Sequence, residues 1–231
     1  MAATDQRSTT LDIINEVRRL VGLNTISTLT ADKQARIALR LLNSVQAELS
    51  NAGDWHEMLA SARVTAVVST REYSIGVNHP VKNVYEISFS GQRQALYPID
   101  LSEYKRYERG GGVGPPRFFT SKGVDNQSNP KLAVHPQPGS AESGNFFGVL
   151  YFKKPPLLTT EDADTELLFP ADLLISGLYA KCLEEEAGGL VTRESIMATQ
   201  DFKTQLQENL NRFNADSGSG EPIQLTPTGT R

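Results

Sequence analysis

The chain has 231 residues and a formal net charge of −4, with 39% hydrophobic and 22% charged residues. This composition is typical of a globular protein and excludes a largely disordered chain. No apolar run approaches the roughly 20 residues that a membrane-spanning helix needs. The polar N-terminus lacks the apolar core of a signal peptide, so we expect synthesis in a cytoplasm without export. The single cysteine, Cys182, excludes an internal disulfide.

Charge is distributed unevenly along the chain. Residues 63–155 carry 12 Lys and Arg against 7 Asp and Glu, whereas residues 161–201 carry 2 basic against 10 acidic residues. A protein that grips nucleic acid collects basic residues on one face without so much opposing acid. The division indicates complementary surfaces between copies or partners, or else two ordinary solvated faces.

Two amphipathic helices are predicted at the start. Over residues 9–23 apolar residues recur at helical spacing, and Gly22 marks the end. Over residues 31–51 a longer helix is predicted, with Thr30 as its N-cap. Its apolar stripe comprises Ile37, Leu41, Val45 and Leu49, flanked by Ala38 and Leu42.

From Arg63 the hydrophobic period changes to two, which predicts strands. The candidate strands are Val64–Val68, Val81–Phe89, Ala95–Ile99, one through Phe118-Phe119, Lys131–Val134 and Phe146–Phe152. Together they would form one sheet of about six strands. Pro155 and Pro156 end the last strand, because proline has no N–H to donate to a ladder.

The C-terminal region returns to a helical period. Pro170 suits the first turn of a helix with Leu174, Leu178 and Cys182 on its apolar face. A helix of about 20 residues follows, with Phe202, Leu206, Leu210 and Phe213 on one face. After residue 214 the chain is polar and rich in Gly, Ser and Pro, so it cannot pack by itself.

Proline supports the same division, since nine of the 12 prolines lie between residues 80 and 156. The predicted class is α+β, with N- and C-terminal helices forming a bundle around an inserted β-rich domain. The expected domains are the bundle (1–61 and 156–214), the β-rich insertion (62–155) and an extended C-terminal tail (215–231).

No arrangement of residues predicts catalysis or a cofactor. His56, His79 and His135 have no second histidine or cysteine at ligand spacing, so no metal site is expected. Consecutive carboxylates such as Glu184–Glu186 point in different directions on a helix and do not form an acid/base pair. The glycine-rich segment 110–114 lacks the Lys-Ser/Thr of a phosphate loop and reads as a flexible loop. We therefore expect that the protein is not an enzyme.

The order of several short motifs is more informative than any one of them. After two amphipathic helices come Leu96-Tyr97-Pro98-Ile99-Asp100 with Glu103-Tyr104, Gly114-Pro115-Pro116-Arg117-Phe118-Phe119, Leu132-Ala133-Val134-His135-Pro136-Gln137-Pro138, Leu150-Tyr151-Phe152-Lys153-Lys154-Pro155-Pro156-Leu157 and Phe169-Pro170-Ala171-Asp172-Leu173-Leu174. This order resembles the head-to-tail adaptor (connector) proteins of short-tailed bacteriophages, including the tail tubular protein A type. The resemblance covers residues 10–213.

The resemblance implies a structural virion protein in the neck or tail. Such adaptors form a ring, usually dodecameric, beneath the portal protein; the ring extends the DNA channel and gives the tail proteins a platform. DNA would pass through without specific binding, and no membrane is involved. The alternative is a β-domain binding module that recognises a host surface or a saccharide. A phage-like hydrolase is a third option, against which the missing acid/base pair argues.

Two sets of residues are candidates for contacts. In the tail, Ile223 and Leu225 would point the same way from an extended chain stiffened by Pro222 and Pro227, and these four residues are predicted to bind the portal. The acidic residues Glu184, Glu185 and Glu186 are predicted to line the channel lumen or to contact a neighbouring subunit. A DNA channel works best when its wall does not attract phosphate.

Overall fold

The computed structural model describes residues 8–77, 80–92, 94–126, 129–188 and 190–216. These residues form five α-helices and seven β-strands, which confirms the predicted α+β class. They group into two compact units. The second unit is Met58–Pro156, and the first consists of the described residues on either side of that range.

The bounds of the elements are as follows. The helices are α1 (Thr10–Leu20), α2 (Lys33–Ala52), α3 (Leu101–Gly110), α4 (Ala171–Glu186) and α5 (Arg193–Asp216). The strands are β1 (Leu59–Thr65), β2 (Glu72–Ser74), β3 (Val81–Phe89), β4 (Tyr97–Pro98), β5 (Phe118–Val124), β6 (Pro130–His135) and β7 (Phe146–Lys153). Single turns of 3₁₀-helix cover His56–Met58 and Ser140–Glu142.

Side-chain caps begin α1 and α2. Thr9 and Asp12 form a capping box at the start of α1. Asp32 caps α2: its carboxylate accepts a backbone N–H of the first turn at 2.6 Å and forms an ion pair with the buried Arg18. The predicted N-cap, Thr30, is wrong, because Asp32 lies two residues later and gains both interactions.

The buried face of α2 differs from the predicted stripe. Val45 and Leu49 are buried as predicted, but Ile37 and Leu41 are only half-buried. The residues in the core are Ala35, Ala38, Leu39, Leu42, Val45, Gln46 and Leu49. The large side chains at a spacing of four drew the prediction to one edge of a wider buried face.

Helix α4 contacts α1, α2 and α5. Its first turn follows Pro170, which is the N-cap and not a residue of the first turn as predicted. Leu174 and Leu178 are fully buried. A Cβ atom added at Gly177 would lie 2.8 Å from side-chain atoms of both Phe202 and Val45. Glycine therefore lets α4 pack closely against α5 and α2 at once.

The second unit contains two sheets, so the prediction of one sheet of about six strands is wrong. The three-stranded sheet has the order β1-β7-β3, with both pairs antiparallel. The four-stranded sheet has the order β2-β6-β5-β4, and its β4–β5 pair is parallel. Strand β2 was missed because its three residues are too few to show a period, and β1 begins five residues before the predicted Val64.

Aromatic side chains join the two sheets into one core. On β7 the alternate residues Phe147, Val149 and Tyr151 are buried on one face. The ring of Phe147 lies 5.1 Å from that of Phe89 in the same sheet and 4.9 Å from that of Tyr73 in the other sheet. The packing of these rings fixes the two sheets against each other.

Candidate functional site

The described residues contain no group of three or more His, Cys, Asp or Glu side chains that could hold a metal ion. His56 lies in the first unit and His135 in the second, while His79 falls outside the described residues. Within the described ranges, no helix combines the length and the apolar character needed to cross a membrane.

The three carboxylates of Glu184–Glu186 are exposed at the C-terminal end of α4 and face different neighbours. Glu184 accepts a hydrogen bond from the Thr199 hydroxyl at 3.2 Å. Glu185 forms a 2.8 Å ion pair with Arg40 of α2. The two side chains thus point towards α5 and α2. Their predicted place in a lumen or an interface stays a prediction.

Cys182 is half-buried one turn before these carboxylates. Burial, with a smaller contribution from Glu186 and Glu185, raises the pKa of its thiol to about 11. The thiolate is the reactive form of cysteine. At neutral pH this side chain is therefore protonated and behaves as a small apolar residue.

The predicted portal-binding residues, Pro222, Ile223, Leu225 and Pro227, lie outside the described residues. The predicted tail boundary needs a correction, because α5 continues to Asp216. The first two residues of the expected tail are thus helical.

A surface that was not predicted lies where α4 is connected to α5. We call it the α4–α5 patch and define it by four side chains. These are Leu190, Val191, Ile196 and Met197, which are 74%, 78%, 44% and 53% exposed. Leu190, Val191 and Ile196 line the same part of the surface, and exposed apolar side chains that lie together mark interaction surfaces. The signal was present in the sequence, since Leu190 and Val191 directly follow a Gly-Gly helix break.

A second unpredicted surface is an apolar groove between α1, α2 and the end of α4. We call it the α1–α2 groove, and its apolar walls are Val21, Leu23, Ile37 and Leu41. The residues Lys33 and Arg36 on α2 are exposed and adjacent in sequence to this wall. Ile37 and Leu41 are thus surface residues of the groove, which explains why they do not belong to the core.

In the second unit, four rings form an aromatic row. Ring centroids of Tyr97 and Phe118 are 6.4 Å apart, and Phe118 stacks on Tyr107 at 5.2 Å with 9° between the planes. Tyr107 in turn stacks on His135 at 5.4 Å. Tyr97 is 60% exposed, so one end of the row faces solvent.

The glycine-rich segment closes the other end of this row. Gly112 has a φ of +144°, and a Cβ atom there would lie 3.3 Å from the His135 ring. The N–H of Gly114 donates to the carbonyl of Gln137 at 2.9 Å. Rather than extending freely as expected, the segment is paired with the chain after β6, and its glycines allow close approach to the imidazole.

Charged side chains hold α3 against the four-stranded sheet. Lys122 of β5 forms a 2.7 Å ion pair with Glu72 of β2 and lies 3.8 Å from Glu108 of α3. Its Nζ also lies 5.1 Å from the centre of the Tyr104 ring. The hydrogen bond and charge of Lys122 lower the pKa of Glu72. The cluster supports the packing of α3 within the chain.

We expect His135 to make the stability of the second unit depend on pH. Burial, together with the charge of Arg71, lowers the pKa of this imidazole, and its Nδ1 has no hydrogen-bond partner among the described residues. As pH falls through the ordinary histidine value of about 6.5, the unfolded chain takes up a proton before the folded chain does. Stability is therefore lost on acidification.

The measurement is urea unfolding of wild type and His135→Phe at several pH values between 7.5 and 5.5. The variant keeps a ring against Tyr107 but cannot titrate, so we expect the wild type to lose more stability over this range. Both proteins contain His56 and His79, so these residues do not contribute to the difference between the two pH profiles. Parallel pH profiles would show that His135 is protonated equally easily in both states.

A family model described as SU10 adaptor protein matches residues 8–225, which span the described parts of both units. No curated protein matches the chain.

Proposed function

The chain belongs to the SU10 adaptor protein family, and from that premise we propose that it forms a ring beneath the portal of a phage particle. The family match confirms the resemblance to phage head-to-tail adaptors and gives the protein a structural role in the virion neck. The tail tubular protein A type stays a prediction. The ring, its dodecameric copy number and the absence of enzymatic activity are parts of the proposal.

In the proposed assembly the ring continues the channel through which DNA leaves the head and presents a platform for tail proteins. The observation that carries the proposal is the family match over nearly the whole chain. The two exposed apolar surfaces of the first unit also support it, because a protein in a permanent assembly needs such contact surfaces.

The test is particle size and shape. Mass photometry and negative-stain images should show rings of the full-length protein, alone or after addition of the portal protein of the same phage. A particle that stays monomeric under both conditions would contradict the ring.

We propose that Glu184, Glu185 and Glu186 contribute to the lumen of the ring or to its subunit interface. All three are exposed at one helix end, where negative charge would either repel DNA phosphates or pair with a neighbour. DNA should pass a wall of this kind without specific binding, since each basic contact with phosphate would add a salt-sensitive attraction.

We further propose that the tail binds the portal through Ile223 and Leu225, with Pro222 and Pro227 on either side. Deleting residues 217–231, which begin just after α5, should leave the melting temperature unchanged. It should weaken attachment to the portal by at least about tenfold, because burying one such side chain contributes about 1.5–3 kcal/mol and about 1.4 kcal/mol corresponds to tenfold. Sedimentation of portal complexes measures the attachment.

Point variants provide the control for this deletion. Ile223→Ser with Leu225→Ser should weaken attachment as the deletion does. Gln224→Ser with Thr226→Ser changes side chains that point the other way from an extended chain, and should have little effect. Equal attachment of the truncated and full-length proteins would show that the tail is not a portal contact.

The alternative, a module that recognises a host surface or saccharide, has one observation in its favour. The aromatic row ends in the exposed ring of Tyr97, and exposed aromatic rings can stack on sugar faces. Glycan-array binding by a monomeric wild type, lost in Tyr97→Ala, would favour this function over the adaptor ring.

A further inference from the structure

We propose that the free edge of β1 receives an extended strand from a tail protein of the phage particle. The edge belongs to the second unit and borders the three-stranded sheet with the order β1-β7-β3. An added strand extends a sheet through backbone hydrogen bonds and packs alternate side chains against it. The inference rests on the proposed function for the source of this strand, because an adaptor that carries tail proteins needs a defined contact with them.

The backbone of β1 has open groups along this edge. The N–H of Ala66, directly after β1, donates to the carbonyl of Asn145, directly before β7, at 2.8 Å. Backbone groups alternate in direction along an antiparallel strand, so those of Ser61, Arg63 and Thr65 point away from β7. None of these N–H and C=O groups has a hydrogen-bond partner among the described residues. Another extended backbone offers the alternating acceptors and donors that match them.

The core-facing side of β1 is only partly covered. Ala60, Ala62 and Val64 pack against the core of the two sheets but are half-buried. Their partners on β7 are at most 2% exposed, and these are Tyr151, Val149 and Phe147. The core is thus closed over β7 and open beside β1. Apolar side chains from a strand beside β1 would remove the three half-buried residues from water.

The other sheet edges in the described part of the second unit are protected. Strand β2 has three residues, and β4 has two, of which one is Pro98. Strand β3 has two register shifts, and the carbonyl of Ile87 accepts the N–H of Leu96 at 2.7 Å. Short strands, proline and irregular pairing are means by which natural proteins prevent an edge from pairing with another chain.

Strand β1 has none of these protections. It is seven residues long, contains no proline and keeps one continuous register with β7. Its single charged side chain, Arg63, does not guard the edge either. The guanidinium lies over the ring of Phe146 on β7, 4.8 Å from the ring centre. A long, regular and unguarded edge is the one to which an extended segment adds most readily.

The side chains of β1 favour another protein over a second copy. Two β1 strands could pair with Ser61 opposite Arg63, but each would supply only alanine and valine to the other's core-facing side. The tail of this chain offers four residues between Pro222 and Pro227, fewer than β1 contains. We therefore expect a partner strand that alternates large apolar side chains, which gain more from burial, with polar ones.

Hydrogen exchange followed by mass spectrometry tests the proposal on the unmodified protein. Residues 59–66 are compared in three samples, which are the free protein, rings assembled with the portal protein of the same phage, and complete phage particles. We expect the amides of Ser61, Arg63 and Thr65 to exchange rapidly in the first two samples. In the particle their exchange should be at least about tenfold slower, because they become hydrogen-bonded there.

A variant and a matched control test the same contact by its effect on tails. Ala62→Lys places a charge on the core-facing side of the edge, which is a natural way to prevent strand addition. Ala95→Lys makes the same change at an exposed residue beside β3, at the other edge of this sheet. In negative-stain images we expect about tenfold fewer tailed particles for Ala62→Lys and wild-type numbers for Ala95→Lys. If Ala62→Lys does not fold, hydrogen exchange of the wild type decides alone.

Each outcome supports or overturns the strand addition. Slow exchange in either of the first two samples would mean that this chain, a second copy or the portal covers the edge, and would overturn it. Rapid exchange in the particle, or normal tails on folded Ala62→Lys, would overturn it while a ring stands. If no rings form but the edge is protected in the particle alone, the ring fails and the strand addition stands.

Discussion

Replacing Leu42 by alanine should lower the free energy of unfolding of the first unit by about 2–5 kcal/mol. Leu42 is fully buried on the face of α2 that forms the core. Alanine would remove its packing and leave a cavity that the surrounding helices can only partly fill. Urea unfolding followed by fluorescence of Trp55, the only tryptophan, measures the effect in the right unit.

The neighbouring residue provides the control. Leu41 has the same side chain on the same helix but is half-buried in the wall of the α1–α2 groove. Leu41→Ala should therefore lower the free energy of unfolding less than Leu42→Ala does. If the two variants were equally destabilised, the assignment of the buried face of α2 would be wrong.

Trp55→Ala should lower the free energy of unfolding by at least as much as Leu42→Ala, by about 3–5 kcal/mol. The side chain is 3% exposed, and its ring packs edge-on against Phe169 with centroids 5.6 Å apart. The indole N–H donates to the carbonyl of Leu49 at 2.7 Å. That carbonyl lies in the last turn of α2, where carbonyls have no partner within the helix. The substitution thus removes a large apolar side chain and a helix-end hydrogen bond together.

Trp55→Phe separates the two contributions. Phenylalanine keeps a ring in the cavity but cannot donate to Leu49, so we expect a smaller loss than for alanine, of which about 1 kcal/mol comes from the hydrogen bond. Far-UV circular dichroism follows unfolding in these variants, since the fluorophore is gone. A stable Trp55→Ala protein would mean that the packing around α2 does not depend on this anchor.

The sequence predicts the class and most elements of this fold because their periods are long enough to read. The stripes around Leu49 and Leu206 span several helical turns, and the alternation in Phe146–Lys153 covers a whole strand. The structure places buried side chains at these positions. The three residues of β2 are too few to show a hydrophobic period, so the sequence does not predict this strand.

The division into two sheets could not be predicted for a different reason. Strand order depends on contacts between distant residues, such as Leu59 opposite Phe152 and Glu72 opposite Ala133. Hydrophobic alternation shows that a segment is a strand but not which strand it pairs with. The three-part domain organisation, with its extended tail, stays a prediction.

The two apolar surfaces were not predicted, because apolar residues carry none of the residue patterns that indicate catalytic or metal sites. The α4–α5 patch consists of ordinary apolar residues, and in the sequence only the Gly-Gly break before Leu190 distinguishes them from core residues. These residues are exposed because the helix break lies directly before Leu190, and because α4 already packs against α1, α2 and α5. Ile37 and Leu41 were predicted to be in the core, but they are half-buried. The sequence does not show that they form the wall of the α1–α2 groove.

The chain order of the first unit has a consequence during protein synthesis. Asn43 and Leu158 exchange two hydrogen bonds across 115 residues of sequence, and α4 supplies the apolar surface that α1 and α2 need. As the chain leaves the ribosome, the apolar faces of the first two helices therefore stay uncovered until residues beyond 170 emerge. The second unit is continuous in sequence and can fold in the meantime. The first unit can therefore be completed only after the whole second unit has been synthesised, because α4 contacts both α1 and α2.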